Sequence, residues 1–426
     1  MLANSVSVPV VVIGAGHSGL SASYWLGRRG IEHVVIERGR VAESWRAERW
    51  DSLRLLTPNW QNSLPGCSYD GDDPDGFMTM EGVIQFIANY SSSINVPLLE
   101  GTNVSRVRTS VKGYVIETTK RDFEARALVI ASGAYNLQSL PPFADAMPES
   151  VKTVHSLHYK NPRQLPQGPA LVVGASATGL QLANEIHDSG RPVTLSVGEH
   201  VRMPRTYRGR DVQWWMHATG LLDDTISDVD DLVRARNIPS PQLIGTPDHS
   251  TVDLNSLSRK GVVLVGRLAG VRPMGDTSLA QFSGSLRNIC ALADLKLNRL
   301  LNTFDEWASK QPNLDIPRVE RFEDTVVSER PELGISIGGT AGIQSVIWAT
   351  GYKADYSWLD LPVFDSKGRL KHEGGVVTDA PGVVVLGLTF LRRRKSSFIH
   401  GASDDARELV DVLAKHLEGQ VSQSEV

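Results

Sequence analysis

Cysteine is almost absent from this chain: there are two, Cys67 and Cys290, far apart and in no C-x-x-C pair. That argues for a reducing compartment and against both a disulfide-stapled domain and a redox-active dithiol. Long apolar runs are missing too, none approaching the ~18 residues of a spanning helix, so no stable membrane insertion is expected. A large charge of one sign is lacking: the net charge of −4 gives no general attraction to nucleic acid or an anionic membrane. The 11 histidines are scattered, with no H-x-x-x-H and no cysteine at metal-ligand spacing, so no metal is expected. The first apolar run begins within ten residues of Met1 and leaves no room for a cleavable signal peptide, which points to the cytoplasm. What is present, 41% hydrophobic and 22% charged residues over 426 positions, suits a globular chain of two or three domains.

The chain is organised around Val10 to Glu37. Val10 to Ile13 reads as a buried parallel strand. Gly14, Gly16 and Gly19 follow in the order G-x-G-x-x-G, then a helical pattern through Leu20, Trp25 and Leu26 that Gly30 breaks. A second apolar run, His33 to Ile36, ends on Glu37. Each part has a task in holding an adenine dinucleotide. Gly14 allows the tight turn, Gly16 lets the backbone approach a pyrophosphate, and Gly19 lets helix and strand pack closely. The helix N-terminus offers free N–H groups and the positive end of its dipole to the phosphates. Glu37 is placed to accept from ribose hydroxyls. A glycine-rich turn that binds nothing leaves Glu37 unexplained.

Just beyond lie Trp45, Arg46, Arg49 and Arg54. They form either a solvated turn with one core tryptophan, or arginines beside cofactor phosphates with an aromatic lid. Val104 to Val107, Tyr114 to Thr118 and Asp122 to Ala125 read as an antiparallel meander, and Ala127 to Ser132 as another buried strand. Residues 136–168 read as a crossing linker. The opening pattern then returns: strand Ala170 to Val173, a turn with Gly174, Ser176 and Gly179, helix Leu180 to His187, and strand Val193 to Val197. This internal repeat of a βαβ unit suggests two nucleotides.

Aligning HVVIE with PVTLS puts Ser196 where the first unit has Glu37. An acid there favours a free 2′-hydroxyl. Its absence, with Arg202 and Arg205 just beyond, favours a 2′-phosphate. The expectation is FAD in the first unit and NADPH in the second. Trp214, Trp215 and Met216 are read either as packing between domains or as the wall of a substrate pocket. Residues 285–307 read as a long amphipathic helix burying Leu286, Ile289, Ala293, Leu297, Leu300, Phe304 and Trp307. Gln344 to Trp348 and Gly382 to Gly387 read as strands, with a last helix from near Gly401. Arg392 to Lys395 are either a solvated cluster or part of the cofactor cleft.

The GAGHSG turn, Trp45-Arg46, the GASATG turn and Ala349-Thr350-Gly351-Tyr352 together resemble the flavin-containing monooxygenases, and within them the bacterial CzcO-type branch. The resemblance spans nearly the whole chain. It implies an α/β fold of two Rossmann-like dinucleotide-binding domains, the FAD domain discontinuous and the NADPH domain inserted. The boundaries read as residues 1–150 for the first part of the FAD domain, 151–319 for the NADPH domain with its insertion, and 320–426 for the return to the FAD domain. It adds Trp45, Arg46, Thr350 and Gly351 to the cofactor-binding residues and Asn59 as a candidate catalytic residue, although Pro58 stands where the family often has its asparagine. His155 and Tyr159 match the family's linker fingerprint, whereas Glu149 and Val151 replace its phenylalanine and glycine. The implied reaction passes hydride from NADPH to FAD, activates O2 as a C4a-(hydro)peroxyflavin and oxygenates a small lipophilic molecule at nitrogen, sulfur or a carbonyl. Partners are then that substrate and O2, with a homodimer admissible. The rival readings are an NAD(P)H-dependent flavoprotein reductase acting on a quinone or other acceptor, and a non-catalytic flavin sensor.

Overall fold

The protein, seen in a computed structural model that describes residues 5–424, is framed by two sheets, the first mixed and the second parallel, each grown from one of the βαβ units. In the first, β1 (Val6–Ile13) leads through α1 (His17–Arg28) into β2 (His33–Ile36). Val10, Val11 and Val12 have no exposed surface, as a strand covered on both faces requires. β1 pairs in parallel with β2 on one side and with β3 (Phe123–Ile130) on the other.

The two runs read separately at 122–125 and 127–132 are this one strand. Phe123 to Ala125 of β3 pair antiparallel with Gly113–Thr118, completing the expected meander, while Leu128 to Ile130 pair in parallel with Val383–Val385 from the far end of the chain. The burial of β3 alternates at its start and becomes continuous at its end, and the change marks the point where the neighbour changes.

The second unit runs β4 (Ala170–Val173), α2 (Ala177–Asp188) and β5 (Val193–Ser196). Its sheet is parallel throughout, in the order Lys152–His155, β6 (Ser345–Trp348), β4, β5, Val263–Val265. Two expectations need correction here. The strand Lys152–His155 lies within the expected linker 136–168 and forms the edge of this sheet. And β6, expected in the return segment 320–426, is an inner strand of the second sheet, paired with β4. The chain then touches the edge of the first sheet, Leu359 bridging Val107, and re-enters its interior at Val383–Val385.

The long helix forms as Leu286–Ala308, within a residue of its expected bounds. Its buried stripe runs through Cys290 and Leu301 rather than Ile289 and Leu300, because it faces two cores: that of the second sheet at one end and the insertion at the other. Trp215 is fully buried in the latter, stacked on Phe304 and donating from Nε1 to the Tyr207 carbonyl, so packing is its role. The final helix α3 (Ala402–Ser424) lies against α1. The two run in the same direction: Arg29 after α1 pairs with Asp411, and Gly382 at the start of its strand abuts His416. Their N-termini therefore share one edge of the first sheet.

Candidate active site

The first glycine turn is built as the spacing demands. Gly14 has φ +107°, and a Cβ there would overlap the Ala131 carbonyl at the end of β3. A Cβ on Gly19 would overlap the Gly14 carbonyl, so helix and turn touch. A Cβ on Gly16, by contrast, meets nothing within 4 Å. Gly16 caps α1 with extended backbone and no side-chain partner, so the first N–H groups of the helix face open space. Glu37 is buried, and its Oε2 accepts from Ala15 N–H at 2.8 Å while Oε1 accepts from Gly39 N–H at 2.9 Å. These bonds fix the carboxylate at the mouth of the turn.

Polar atoms without partners gather there. Ser18 Oγ and Ser132 Oγ are buried and unbonded, and Gly387, with φ +77°, sits so close that a Cβ on it would lie 2.8 Å from Ser18 Oγ. His17 Nε2 is likewise unpartnered, and burial pushes its imidazole down to about 4. An unmet buried polar group costs ~1–3 kcal/mol, so such a cluster fits a polar ligand. Trp45 and Arg46 lie on the short helix Glu43–Ala47, entered through Ala42 at φ +61°. Trp45 packs against the cores of both sheets, with Arg49 over its ring, and Arg46 Nε donates to the Val41 carbonyl.

The second turn repeats the first. Gly174 has φ +109°, and its Cβ would overlap the Ala349 carbonyl at the end of β6; a Cβ on Gly179 would overlap the Gly174 carbonyl. Ser176 caps α2 with extended backbone, in the place of Gly16, and its side chain makes no capping bond. Ala349-Thr350-Gly351 thus corresponds to Ala131-Ser132-Gly133, with Gly351 at φ +91° and Gly133 at φ +89°. Thr350 Oγ1 donates to the Ser139 carbonyl, and the Gly351 carbonyl lies 3.1 Å from His155 Nε2. His155 and Tyr159 are both buried, Tyr159 donating to Glu185, so the linker fingerprint secures the second sheet rather than facing a reactant.

Strand register corrects the ribose position. Ile13 pairs with Ile36 and Val173 with Ser196, so the counterpart of Glu37 is Val197, one residue beyond the expected Ser196. Ser196 Oγ instead bridges the Gly266 carbonyl and Leu268 N–H. The position still has no acid. The expected arginines, however, are engaged elsewhere. Arg202 is buried between Asp253 and Asp294, and Arg205 is held by Asp211 and the Leu56 carbonyl over the Phe77 ring. Both guanidiniums are buried and engaged, Arg202 by two carboxylates from distant segments and Arg205 by the nearby Asp211 and the Leu56 carbonyl, which leaves neither free for a 2′-phosphate.

Sequence reasoning missed several residues here. Gln242 donates from Nε2 to the Ala175 carbonyl inside the second turn and keeps Oε1 buried and unbonded; His200 Nε2 is also buried and unbonded. Both lie beside irregular segments, and no motif marks them. Asn59 is buried, with Nδ2 donating to the Asp73 carbonyl and Oδ1 unpartnered. Gln61, Gln213 and His400 also keep buried polar atoms without partners, and no motif marks them. The Arg392–Lys395 run is engaged in ion pairs, with Glu408, Asp405, Asp224, Asp223 and Asp404. An open cleft of about 340 Å³ beside Lys152, His158 and Trp348 has no unpartnered buried polar atom among its lining and shows no need of a ligand. Among the described residues no group of His, Cys, Asp and Glu could hold a metal ion, and no helix is long and apolar enough to cross a membrane.

Residues 11–218 match the pyridine nucleotide-disulphide oxidoreductase family. The chain is 30% identical to the uncharacterised CzcO-like oxidoreductase of Geobacillus kaustophilus, over 96% of its own length and 99% of the relative's. It belongs to the CzcO-like oxidoreductases. Its motifs resemble those of the flavin-containing monooxygenases. The indole-3-pyruvate monooxygenase YUCCA6 of Arabidopsis thaliana is 25% identical, over 95% of this chain and 90% of the plant protein. In fold, a flavin-containing monooxygenase from Stenotrophomonas maltophilia matches 96% of this chain and 99% of its own, with a TM-score of 0.65 at 20% identity. This oxidoreductase therefore has the architecture expected from its two nucleotide units.

Proposed function

We propose that this oxidoreductase is an FAD- and NADPH-dependent monooxygenase that oxygenates a small molecule at nitrogen, sulfur or a carbonyl. The duplicated glycine turn carries the reading: one close-packed cradle in each sheet, each with a capping residue that leaves helix N–H groups free. The first cradle suits FAD. Gly14 and Gly19 hold the turn, Gly16 leaves room for the pyrophosphate, and Glu37 is fixed where a ribose hydroxyl would donate to it. Ser18 and Ser132 offer unused hydroxyls, and Trp45 and Arg46 flank the turn. The second cradle, with Gly174, Ser176, Gly179, Thr350 and Gly351, suits the pyridine nucleotide. Val197 places no carboxylate against a 2′-phosphate, and the preference for NADPH rests on that rather than on Arg202 or Arg205. FAD, when bound, supplies the hydride acceptor and the activation of O2. The chain's contribution is to hold the two cofactors and keep water from their junction. YUCCA6 and the Stenotrophomonas enzyme are named as monooxygenases, which supports oxygen insertion. The two cysteines are both free and lie in separate parts of the fold, which does not suit dithiol chemistry.

The test is to bleach the yellow protein with NADPH without oxygen, then admit isotopically labelled O2 with methyl phenyl sulfide, a tertiary amine and a cyclic ketone in parallel. The expected result is labelled oxygen in at least one product. Bleaching and re-oxidation with no label in any of the three would replace this reading with a reductase. No bleaching by NADPH would replace it with a sensor.

A further inference from the structure

We propose that Gln61, Gln213 and His400 form a recognition pocket for an uncharged, carboxamide-like end of the molecule that is oxygenated. This rests on the monooxygenase reading and narrows its substrate to a polar class. Three segments distant in sequence meet there. Trp60, between Asn59 and Gln61, meets His217 edge-on at 5.7 Å between ring centroids. Gln213 stands one turn before His217 on the helix Val212–Ala218, so the two share a face. His217 is within electrostatic reach of His400. His217 is exposed and Trp60 half-buried, whereas Gln61 and Gln213 are 4% and 3% exposed, so the pair stands at a mouth and the glutamines within.

The interior is left unsatisfied. Neither end of the Gln61 amide has a partner, Gln213 Oε1 has none, and neither ring nitrogen of His400 has one. Most buried polar groups in native folds are paired, so five unbonded atoms on three side chains of these meeting segments point to a ligand. His400 lies just before α3, whose N-terminus shares an edge with that of α1 and its Gly16 turn. The pocket therefore adjoins the first cradle.

Its chemistry is neutral and two-sided. The charges around it are already paired: Asp211 with Arg205, and both Asp223 and Asp404 with Lys395. Burial pushes the His400 imidazole down to about 3, so it is neutral at ordinary pH, with one donor and one acceptor. Gln61 adds a donor and an acceptor, and Gln213 an acceptor. A carboxylate or ammonium would find only counter-charges already held in ion pairs. A carboxamide brings both a donor and an acceptor, and a hydrocarbon of the same shape would leave the glutamines unpaired.

The experiment compares 2-(methylthio)acetamide with its hydrocarbon isostere, isobutyl methyl sulfide, on FAD-loaded wild type, Gln61→Leu and Gln213→Leu. Binding is read from perturbation of the flavin spectrum, turnover from NADPH-driven sulfoxide formation, and cofactor retention from the ratio of flavin to protein absorbance. Wild type should bind the amide roughly tenfold more tightly. Either variant should lose that preference through KM while keeping its FAD. Equal binding of the two sulfides by wild type, or loss of FAD from the variants, would overturn the pocket; the second result would assign the glutamines to the flavin instead. Preferential binding of the amide without any sulfoxide would uphold the pocket and remove the oxygenation reading.

Discussion

Gly16 and Gly19 stand three residues apart, and the same methyl group should have opposite effects on them. At Gly19 it would strike the Gly14 carbonyl, backbone against backbone. Gly19→Ala should cost roughly 1–3 kcal/mol of stability by overpacking, even in FAD-free protein. At Gly16 it has open space, so Gly16→Ala should unfold in urea like wild type yet be purified colourless, the methyl lying where the pyrophosphate must come. A yellow, fully loaded Gly16→Ala protein would refute the assignment of the first cradle. These glycines were legible because their task is backbone geometry, and spacing alone encodes it. Arg202 was not, since its partners Asp253 and Asp294 stand 51 and 92 residues away. The ribose position was read one residue short, at Ser196, because matching letters cannot reveal which residue faces which across a sheet.

At the scale of elements, the run Arg392 to Lys395 works as a clasp. Arg394 pairs with Asp224 at 2.8 Å, and Lys395 joins Asp223 at 2.7 Å to Asp404 at 3.0 Å. Backbone bonds accompany them: Ile226 N–H donates to the Arg392 carbonyl, and Arg394 N–H to the Asp224 carbonyl. The insertion is thereby tied to the start of α3. Such half-exposed pairs contribute about 1 kcal/mol or less each, so Asp223→Ala with Asp224→Ala should leave global unfolding little changed. It should instead loosen the local segment, raising the rate of trypsin cleavage at Arg234 and Arg236 several-fold. Cleavage at the wild-type rate would mean that the backbone bonds hold the insertion alone. Helix bounds were legible from periodicity, as Leu286–Ala308 shows. Which stripe faced inward was less so, because that helix serves two cores and the pattern averages over both. Nor does a run of four basic residues disclose its acidic partners in the insertion and α3.

For the whole molecule, the duplication of the βαβ unit made the two-sheet frame legible, while the return of the chain was misjudged. β6 is as apolar as Val383–Val385, and composition cannot say that it joins the second sheet and the later strand the first. Closing both sheets buries histidines far from one another. Burial pushes His155 and His372 down to about 4. In each, Nδ1 accepts a backbone N–H, from Leu157 and Gly375 respectively, an arrangement that requires the neutral ring. His17 and His400 are pushed down to about 4 and about 3. An unfolded histidine titrates near ~6.5, so between about pH 6.5 and about pH 4 the unfolded chain binds protons that the folded chain refuses. Stability must fall with acidification across that window. Glu185 and Asp405, raised by burial, act in the opposite direction but are fewer. The thermal midpoint of the FAD-loaded protein should therefore be level above about pH 7 and decline from about pH 6.5 downward, well before ordinary carboxylates titrate. Calorimetry across that range checks it, and His372→Gln should flatten the slope. A midpoint unchanged down to about pH 5 would mean that these rings open to water before the chain unfolds.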